Sequence, residues 1–223
     1  MGKREERAVA IPLLGEEGES GDALEGLFVA ADAAGSGGVV IAPPHPLYGG
    51  SMDSPVVSEL AWAARKAGLA SLRFNWRGVG ASAGSPSGDA TIADADYAAA
   101  LAQLARSVDG PVVAAGYSFG AAAAARASLG QPRVRRLALV APPPGLLEPS
   151  ALAERERAVL ILAGERDALA APAALAALVR ELPQVRVSVL AEADHFFAAG
   201  LAQLGAELAA WLGTAGVAGV RDS

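Results

Sequence analysis

The chain has 223 residues, of which 52% are hydrophobic and 19% charged, and its formal net charge is −6. Cysteine is absent, which excludes disulfides, thiolate metal ligands and a cysteine nucleophile. The length fits one domain with a sizeable core, the apolar runs are too short to span a bilayer, and the acidic balance disfavours nucleic acid as a partner.

Short apolar runs and longer helix-forming segments alternate along the chain. The runs predict strands at residues 8–14, 24–30, 38–42, 70–75, 112–116, 137–141, 159–163 and 185–190. The segments between them predict helices at residues 55–67, 92–108, 119–129, 171–181 and 201–212. The first two strands precede any helix and are predicted to form an antiparallel hairpin, whereas the later, continuously apolar strands are typical of a parallel sheet covered on both faces. The predicted fold class is α/β, with a mostly parallel, doubly wound sheet of eight strands.

We predict a single domain over residues 1–213 and a flexible tail over residues 214–223, because the Gly/Ala-rich end offers little to pack. The N-terminus is charged and no apolar signal core follows it, so we expect a cytoplasmic protein, a monomer or a homodimer, with no membrane span. The longest basic cluster, Arg133-Val134-Arg135-Arg136, is expected to cap a helix–strand junction rather than to bind nucleic acid.

The fifth predicted strand runs into Gly116-Tyr117-Ser118-Phe119-Gly120 and then into an alanine-rich helix. A Gly-x-Ser-x-Gly segment between a strand and a helix is typical of a nucleophile elbow, a turn too tight for a Cβ on either side of the serine. The helix that follows offers free N–H groups and the positive end of its dipole to a nearby oxyanion. Ser118 is therefore the candidate nucleophile, and the N–H of Phe119 is one candidate oxyanion donor.

A serine nucleophile needs a base and an orienting carboxylate. Of the two histidines, His195 follows the last predicted strand and His45 the third. We assign His195 as the base and Asp167, which follows the seventh predicted strand, as the acid. Asp194 adjoins His195 too closely to fold back onto its ring, and Glu165 is the nearest substitute for Asp167. The other acids that stay open as alternatives follow a Gly-rich loop: Asp89, Asp94 and Asp96.

Together these motifs resemble the α/β-hydrolase superfamily over nearly the whole chain. The order of serine, acid and histidine along the chain is that of the superfamily. The segment Pro44-His45-Pro46-Leu47-Tyr48-Gly49-Gly50 resembles the Pro-His-Pro-x-x-Gly-Gly signature of a group of small, cap-less hydrolases and carboxylesterases, and residues 72–82 resemble the fourth-strand loop of that group. The group often carries His-Pro-His-Pro. Here Pro43 replaces the first histidine, which we expect to affect only the rigidity of the loop or the lining of the pocket.

The resemblance implies a second oxyanion donor in the loop after the third strand. The two prolines of the signature lack an N–H, and alignment with the His-Gly of related hydrolases leaves Leu47, with Tyr48 as the fallback. His45 is expected to pack or to form hydrogen bonds under this loop rather than to act as a base. Asn75 and Arg77 are expected to tie loops together rather than to bind substrate.

The resemblance also implies a serine hydrolase that cleaves small carboxylic esters through an acyl-enzyme, with no metal or organic cofactor. Residues 142–157 are too few for the helical cap of larger relatives, so the site is expected to be open. Apolar residues in the surrounding loops predict a substrate pocket lined by Tyr48, Leu146 and Phe196. A thioesterase, an acyltransferase or a peptidase with the same triad, and a non-catalytic binding scaffold, stay open as alternatives.

Overall fold

A sheet of eight strands and five flanking helices form the framework of residues 5–15 and 18–214, the part of the chain that the computed structural model describes. The strands are β1 (Arg7–Gly15), β2 (Gly18–Val29), β3 (Gly38–Ala42), β4 (Ala70–Phe74), β5 (Val112–Tyr117), β6 (Val134–Val140), β7 (Ala158–Gly164) and β8 (Val185–Leu190). The helices are α1 (Pro55–Lys66), α2 (Ala90–Ser107), α3 (Phe119–Ala127), α4 (Pro172–Leu178) and α5 (Leu201–Gly213).

The direction of winding reverses in the middle of the sheet. The strand order is β1-β2-β4-β3-β5-β6-β7-β8, with β1–β2 and β2–β4 antiparallel and the other neighbours parallel. The chain steps from β3 to β4 in one direction and from β5 to β6 in the other. Open α/β sheets bind ligands at such a reversal, outside the carboxyl ends of the strands. Here it brings the loop after β3 beside the turn after β5.

Helices cover both faces of the sheet because right-handed crossovers that run in opposite directions place their helices on opposite sides. Helix α1 connects β3 to β4 and packs with α5, whereas α2 and α3 pack with each other. Five consecutive alanines, 121–125, are buried, so α3 is enclosed on all sides. Their small side chains allow the helix backbone to lie close to the strands it covers.

The structure confirms the predicted fold class. Within the described residues, β6 and β7 are joined by two short 3₁₀ turns, Pro144–Leu146 and Pro149–Leu152, and no cap domain lies between them. Element bounds differ where polar residues join a strand. β2 begins at Gly18 rather than at residue 24, because the hairpin continues to a pair between Gly15 and Gly18. β8 is an edge strand whose residues are mostly half-buried or exposed, rather than a continuously buried strand.

One residue of the basic cluster, Arg133, caps a helix–strand junction. Arg133 donates hydrogen bonds to the carbonyl oxygens of Ala105, Val108 and Gly110 at 2.5, 2.6 and 2.7 Å, just where α2 ends and β5 follows. The tail predicted over residues 214–223 lies outside the described residues except for Thr214. Among the helices of the described ranges, none combines the length and the apolar character that crossing a membrane requires.

Candidate active site

Ser118 lies between β5 and α3 in a strained turn. Its φ and ψ are 55° and −118°, a region that residues other than glycine rarely adopt and that costs about 1–3 kcal/mol. The two glycines of the motif are required by close contacts. A Cβ on Gly116 would lie 2.3 Å from the carbonyl oxygen of Gly120, and one on Gly120 would lie 2.3 Å from that of Pro43. The backbone therefore holds the serine hydroxyl at the carboxyl edge of the sheet.

His195 connects this serine to an acid. Its Nε2 lies 3.0 Å from Oγ of Ser118, and its Nδ1 lies 2.8 Å from Oδ2 of Asp167. The three side chains come from the turn after β5 and from the loops after β7 and β8. Since the carboxyl ends of parallel strands share one edge of the sheet, loops far apart in sequence meet here. The structure thus brings together the three residues that the sequence analysis selected.

Asp167 is fixed as a hydrogen-bond acceptor. Its Oδ1 accepts the N–H groups of Leu169 and Ala170 at 2.8 and 2.7 Å, while Oδ2 faces the histidine ring. Burial by itself would raise the pKa of this carboxyl. The hydrogen bonds from His195 and from the backbone, with the positive charge that the ring can carry, outweigh burial and hold the pKa of Asp167 below its ordinary value. The ionised carboxylate keeps the Nδ1 proton of His195 in place.

The nearest alternative acids have other partners. Oδ1 of Asp194 accepts the N–H groups of Phe196 and Ala198 at 3.1 and 3.2 Å. Glu165 accepts the N–H of Glu192 at 3.0 Å. Asp89 caps the N-terminus of α2, and Asp94 and Asp96 form ion pairs with Arg126 and Arg77.

Tyr117 contacts both the backbone and the ring of His195, which was not predicted from the sequence. Its hydroxyl donates to the carbonyl oxygen of His195 at 2.9 Å, and the two rings lie 5.6 Å apart between centroids. Burial, together with the nearby charges of Asp167 and Asp194, raises the pKa of Tyr117 well above its usual value. The hydroxyl therefore keeps its proton and remains a donor. An aromatic residue next to the nucleophile was the only available signal for this role.

The loop after β3 carries both candidate positions for the second oxyanion donor. Nδ1 of His45 accepts the N–H of Leu47 at 3.2 Å. The N–H of Tyr48 donates to the carbonyl oxygen of His45 at 3.1 Å. The imidazole of His45 packs against the tilted ring of Phe119, with 4.6 Å between ring centroids. Burial lowers the pKa of His45, which favours the neutral ring that this acceptor role requires.

Side chains of the residues that directly follow β4 hold the same loop in place. The indole N–H of Trp76 donates to the carbonyl oxygens of Pro44 and Pro43 at 3.0 and 3.2 Å. Asn75 accepts the N–H of Met52 at 2.8 Å and donates to Glu25 at 2.8 Å. Asn75 therefore ties loops together, as predicted.

Arg77 forms an ion pair with the buried carboxylate of Asp96 at 2.5 Å. Burial raises the pKa of Asp96, and the hydrogen bonds and charge of Arg77 oppose that shift. This arginine thus has a carboxylate partner and is used to link the segment after β4 to α2.

The predicted substrate-binding side chains lie at the mouth of the site. Tyr48, Leu146 and Phe196 are all exposed, rather than enclosed in a slot beside Ser118. A cleft of about 700 Å³ lies elsewhere, between β1 and α2, and its lining contains none of these side chains. Within residues 5–15 and 18–214, no cluster of three or more His, Asp or Glu side chains could hold a metal ion.

Residues 48–210 match a family of α/β-hydrolase domains. In three dimensions the chain is similar to an α/β serine hydrolase homologue from Coxiella burnetii, with 29% identity, a TM-score of 0.79 and coverage of 95% of this chain and 99% of that one. It is also similar to an α/β serine hydrolase without a lid from Xanthomonas campestris, with 26% identity, a TM-score of 0.78 and coverage of 100% and 99%. An uncharacterised protein of Rickettsia prowazekii is 28% identical over 184 residues, which cover 78% of this chain and 77% of that protein.

Proposed function

The chain belongs to the α/β-hydrolase family, and we propose that it is a serine hydrolase that cleaves small carboxylic esters through an acyl-enzyme on Ser118. The observation that carries this proposal is the pair of contacts made by His195, 3.0 Å to Ser118 and 2.8 Å to Asp167. They give each ring nitrogen a different task. Ionised Asp167 accepts a hydrogen bond from the N–H at Nδ1 and leaves the proton on the ring. The unprotonated Nε2 can therefore take the proton of the serine hydroxyl.

In the acylation step, Oγ of Ser118 attacks the ester carbonyl carbon while its proton moves to Nε2 of His195. The C–O bond to the alcohol then breaks, and the imidazolium returns that proton to the departing alkoxide. In the second half, water loses a proton to Nε2 and attacks the acyl carbon. The bond to Oγ breaks, the serine regains its proton and a carboxylic acid leaves. The charge of Asp167 stabilises the imidazolium in both halves.

The oxyanion of each tetrahedral intermediate would lie at the N-terminus of α3. The N–H of Phe119 is at the first position of that helix, where no acceptor exists one turn earlier. Leu47 is the proposed second donor. Its 3.2 Å bond to His45 is long enough for an oxyanion, which carries a full charge, to compete for it. Each donor of this kind is worth on the order of 3 kcal/mol.

The first experiment compares wild type with Ser118→Ala on p-nitrophenyl acetate, butyrate and octanoate. We expect the variant to lose at least about 10⁴-fold in kcat, because the nucleophile of the triad is removed. Ser150→Ala, at an exposed serine in the loop after β6, should match wild type. Equal slow rates in all three proteins would overturn the proposal.

Two additional assays address the alternatives. Labelling of Ser118 by a fluorophosphonate separates every serine hydrolase from a non-catalytic scaffold, since only an activated serine reacts. The relative rates on acyl-thioesters, esters and peptides then decide between a thioesterase, an esterase and a peptidase.

A further inference from the structure

Large apolar side chains are exposed mainly around the candidate nucleophile. In the described part of the chain seven such side chains are exposed, and five of them lie on four loops at the carboxyl edge of the sheet. We name these five the apolar rim: Leu47, Tyr48, Leu146, Leu169 and Phe196. The other two, Leu129 and Val189, lie at the far end of α3 and on the edge strand β8.

Contacts place the rim on both sides of Ser118. On one side, the ring of Tyr48 lies 4.7 Å from that of His45, which in turn packs against Phe119 beside the serine. On the other side, the ring of Phe196 lies 5.6 Å from that of His195. Leu169 is bound through its N–H to Asp167, and the carbonyl oxygen of Leu146 accepts from Arg126 of α3 at 3.3 Å. The two aromatic rings of the rim therefore flank Ser118, and Leu169 adjoins the candidate acid.

The two rim aromatics protrude from the surface. Tyr48 is 87% exposed and Phe196 is 70% exposed. Side chains this exposed have little surface in contact with the protein, so they are poorly placed to line an enclosed pocket. At the usual size of an aromatic side chain, these two alone present roughly 300 Å² to water, as two separate protrusions beside the site. A broad partner that covers them from outside would remove that area from water.

The charges of the same four loops restrict what the partner can be. Residues 43–54, 141–150, 165–171 and 191–200 contain one arginine, Arg166, and six acids: Asp53, Glu148, Glu165, Asp167, Glu192 and Asp194. Arg166 is itself paired with Glu192. An anionic surface would be repelled by this excess of carboxylates, in keeping with the net charge of −6. The surface that fits is apolar and uncharged.

We propose that the apolar rim docks the open site onto the surface of an aggregated, uncharged ester, so that Ser118 takes its substrate from an oil–water boundary. Docking removes the exposed rim from water, and the favourable free energy grows with the apolar area covered. This inference rests on the proposed ester hydrolase activity and narrows its substrate class from small esters in general to those that form droplets or micelles.

The test compares dissolved and emulsified substrates in three proteins. For each, the rate on emulsified tributyrin is divided by the rate on dissolved p-nitrophenyl acetate. We expect this ratio to fall at least about tenfold in Tyr48→Ser/Phe196→Ser, which removes the two protruding rings. The control, Leu129→Ser/Val189→Thr, replaces the two large apolar side chains that are exposed outside the rim and should keep the wild-type ratio. Equal ratios in all three proteins would overturn the inference, even where every protein hydrolyses the dissolved ester.

A binding assay keeps the inference testable where no ester is cleaved. Ser118→Ala, mixed with tributyrin droplets coated with phosphatidylcholine, should float with them, and Tyr48→Ser/Phe196→Ser/Ser118→Ala should not. Addition of phosphatidylserine should weaken the binding. Failure of Ser118→Ala to float contradicts the docking, whereas a wild type that cleaves no dissolved ester contradicts the proposed function. A dimer in light scattering that the rim substitutions convert to a monomer would mean that a second copy covers the rim, which also overturns the inference.

Discussion

His195 and His45 follow parallel strands of the same sheet and lie on either side of the elbow, yet their Nδ1 atoms have opposite partners. Nδ1 of His195 faces the carboxylate of Asp167 at 2.8 Å, and Nδ1 of His45 faces the N–H of Leu47 at 3.2 Å. A carboxylate requires a proton on Nδ1, whereas an N–H group requires a lone pair there. In the neutral ring, Nε2 therefore carries a free lone pair in His195 and a proton in His45.

This difference explains why one imidazole can serve as a base and the other cannot. A general base must offer an unprotonated nitrogen within hydrogen-bonding distance of the proton that it removes. His195 offers Nε2 to Ser118 at 3.0 Å. His45 has already used its acceptor nitrogen to bind the N–H of Leu47 in the loop after β3. The partner behind the ring, rather than the ring itself, thus decides the role that each histidine can take.

The largest effect is expected for Asp167→Asn, which replaces the carboxylate beside Nδ1 of His195 with an amide that can donate a hydrogen bond. The new amide would donate to Nδ1, so the proton would move to Nε2 and the ring would adopt the form assigned to His45. We expect kcat on p-nitrophenyl acetate to fall about 10³- to 10⁴-fold. Steady-state kinetics between pH 6 and pH 9 measure the loss.

Glu165→Gln is the matched control, because Glu165 is the nearest acid in the same loop and binds the backbone of Glu192 instead. It should stay within about threefold of wild type. A large loss in Glu165→Gln together with a small one in Asp167→Asn would mean that the acid is assigned to the wrong residue.

A smaller effect is expected at His45, because its ring positions a loop and does not move a proton. His45→Ala removes the ring that accepts the Leu47 N–H in the free protein and packs against Tyr48 and Phe119. The loop is then less well positioned before substrate binds, at a cost of about 0.5–1.5 kcal/mol, so kcat should fall about three- to tenfold. His45→Asn restores a side-chain acceptor that can reach an N–H two residues later, and it should recover most of the rate. If His45→Asn were as inactive as Asp167→Asn, His45 would have to act on protons directly.

The smallest expected effect is a pair of separate pH dependences of the free energy of unfolding. The pKa of His45 is lowered from 6.5 in the folded protein, so the unfolded chain binds the proton first as the pH falls below 6.5 and stability decreases from there. The pKa of Asp167 is lowered from 3.8, so its contribution is present above that pH and is lost as the pH falls through the lower folded value.

Urea unfolding at pH 8, 5 and 3 separates the two. His45→Asn should flatten the change between pH 8 and pH 5, and Asp167→Asn the change between pH 5 and pH 3. Identical pH dependences in wild type and His45→Asn would show that His45 binds its proton equally in both states.

Local sequence patterns were sufficient to predict the fold and the identity of the residues that meet at the site. A strand, a tight turn and a helix around Ser118 locate the elbow, and the ends of two later strands locate Asp167 and His195. These are regularities of the backbone. The ends of the strands were less predictable. β2 extends to Gly18 because β1 continues opposite it, which the residues of β2 alone do not indicate.

Side-chain directions in the loops could not be predicted in the same way. Phe196 and Phe197 are neighbours of one type, but Phe196 is exposed and Phe197 is buried. Phe197 has a φ of 53°, and its position depends on a turn that the residue types do not specify. The bond between Leu47 and His45 likewise depends on the side-chain torsions of His45. The expectation of a pocket lined by Tyr48 and Phe196 did not include the direction in which these rings point.

The alanine run of α3 limits how the protein can change. Since alanines 121–125 are all buried, each methyl group sets the spacing between this helix and its neighbours. A larger residue at any of these positions would push α3 outward, and Ser118, which immediately precedes the helix, would move with it. A substitution that repacks this part of the core would therefore also change the position of the Ser118 hydroxyl. The alanine run therefore fixes the distance of Ser118, the candidate nucleophile, from the sheet.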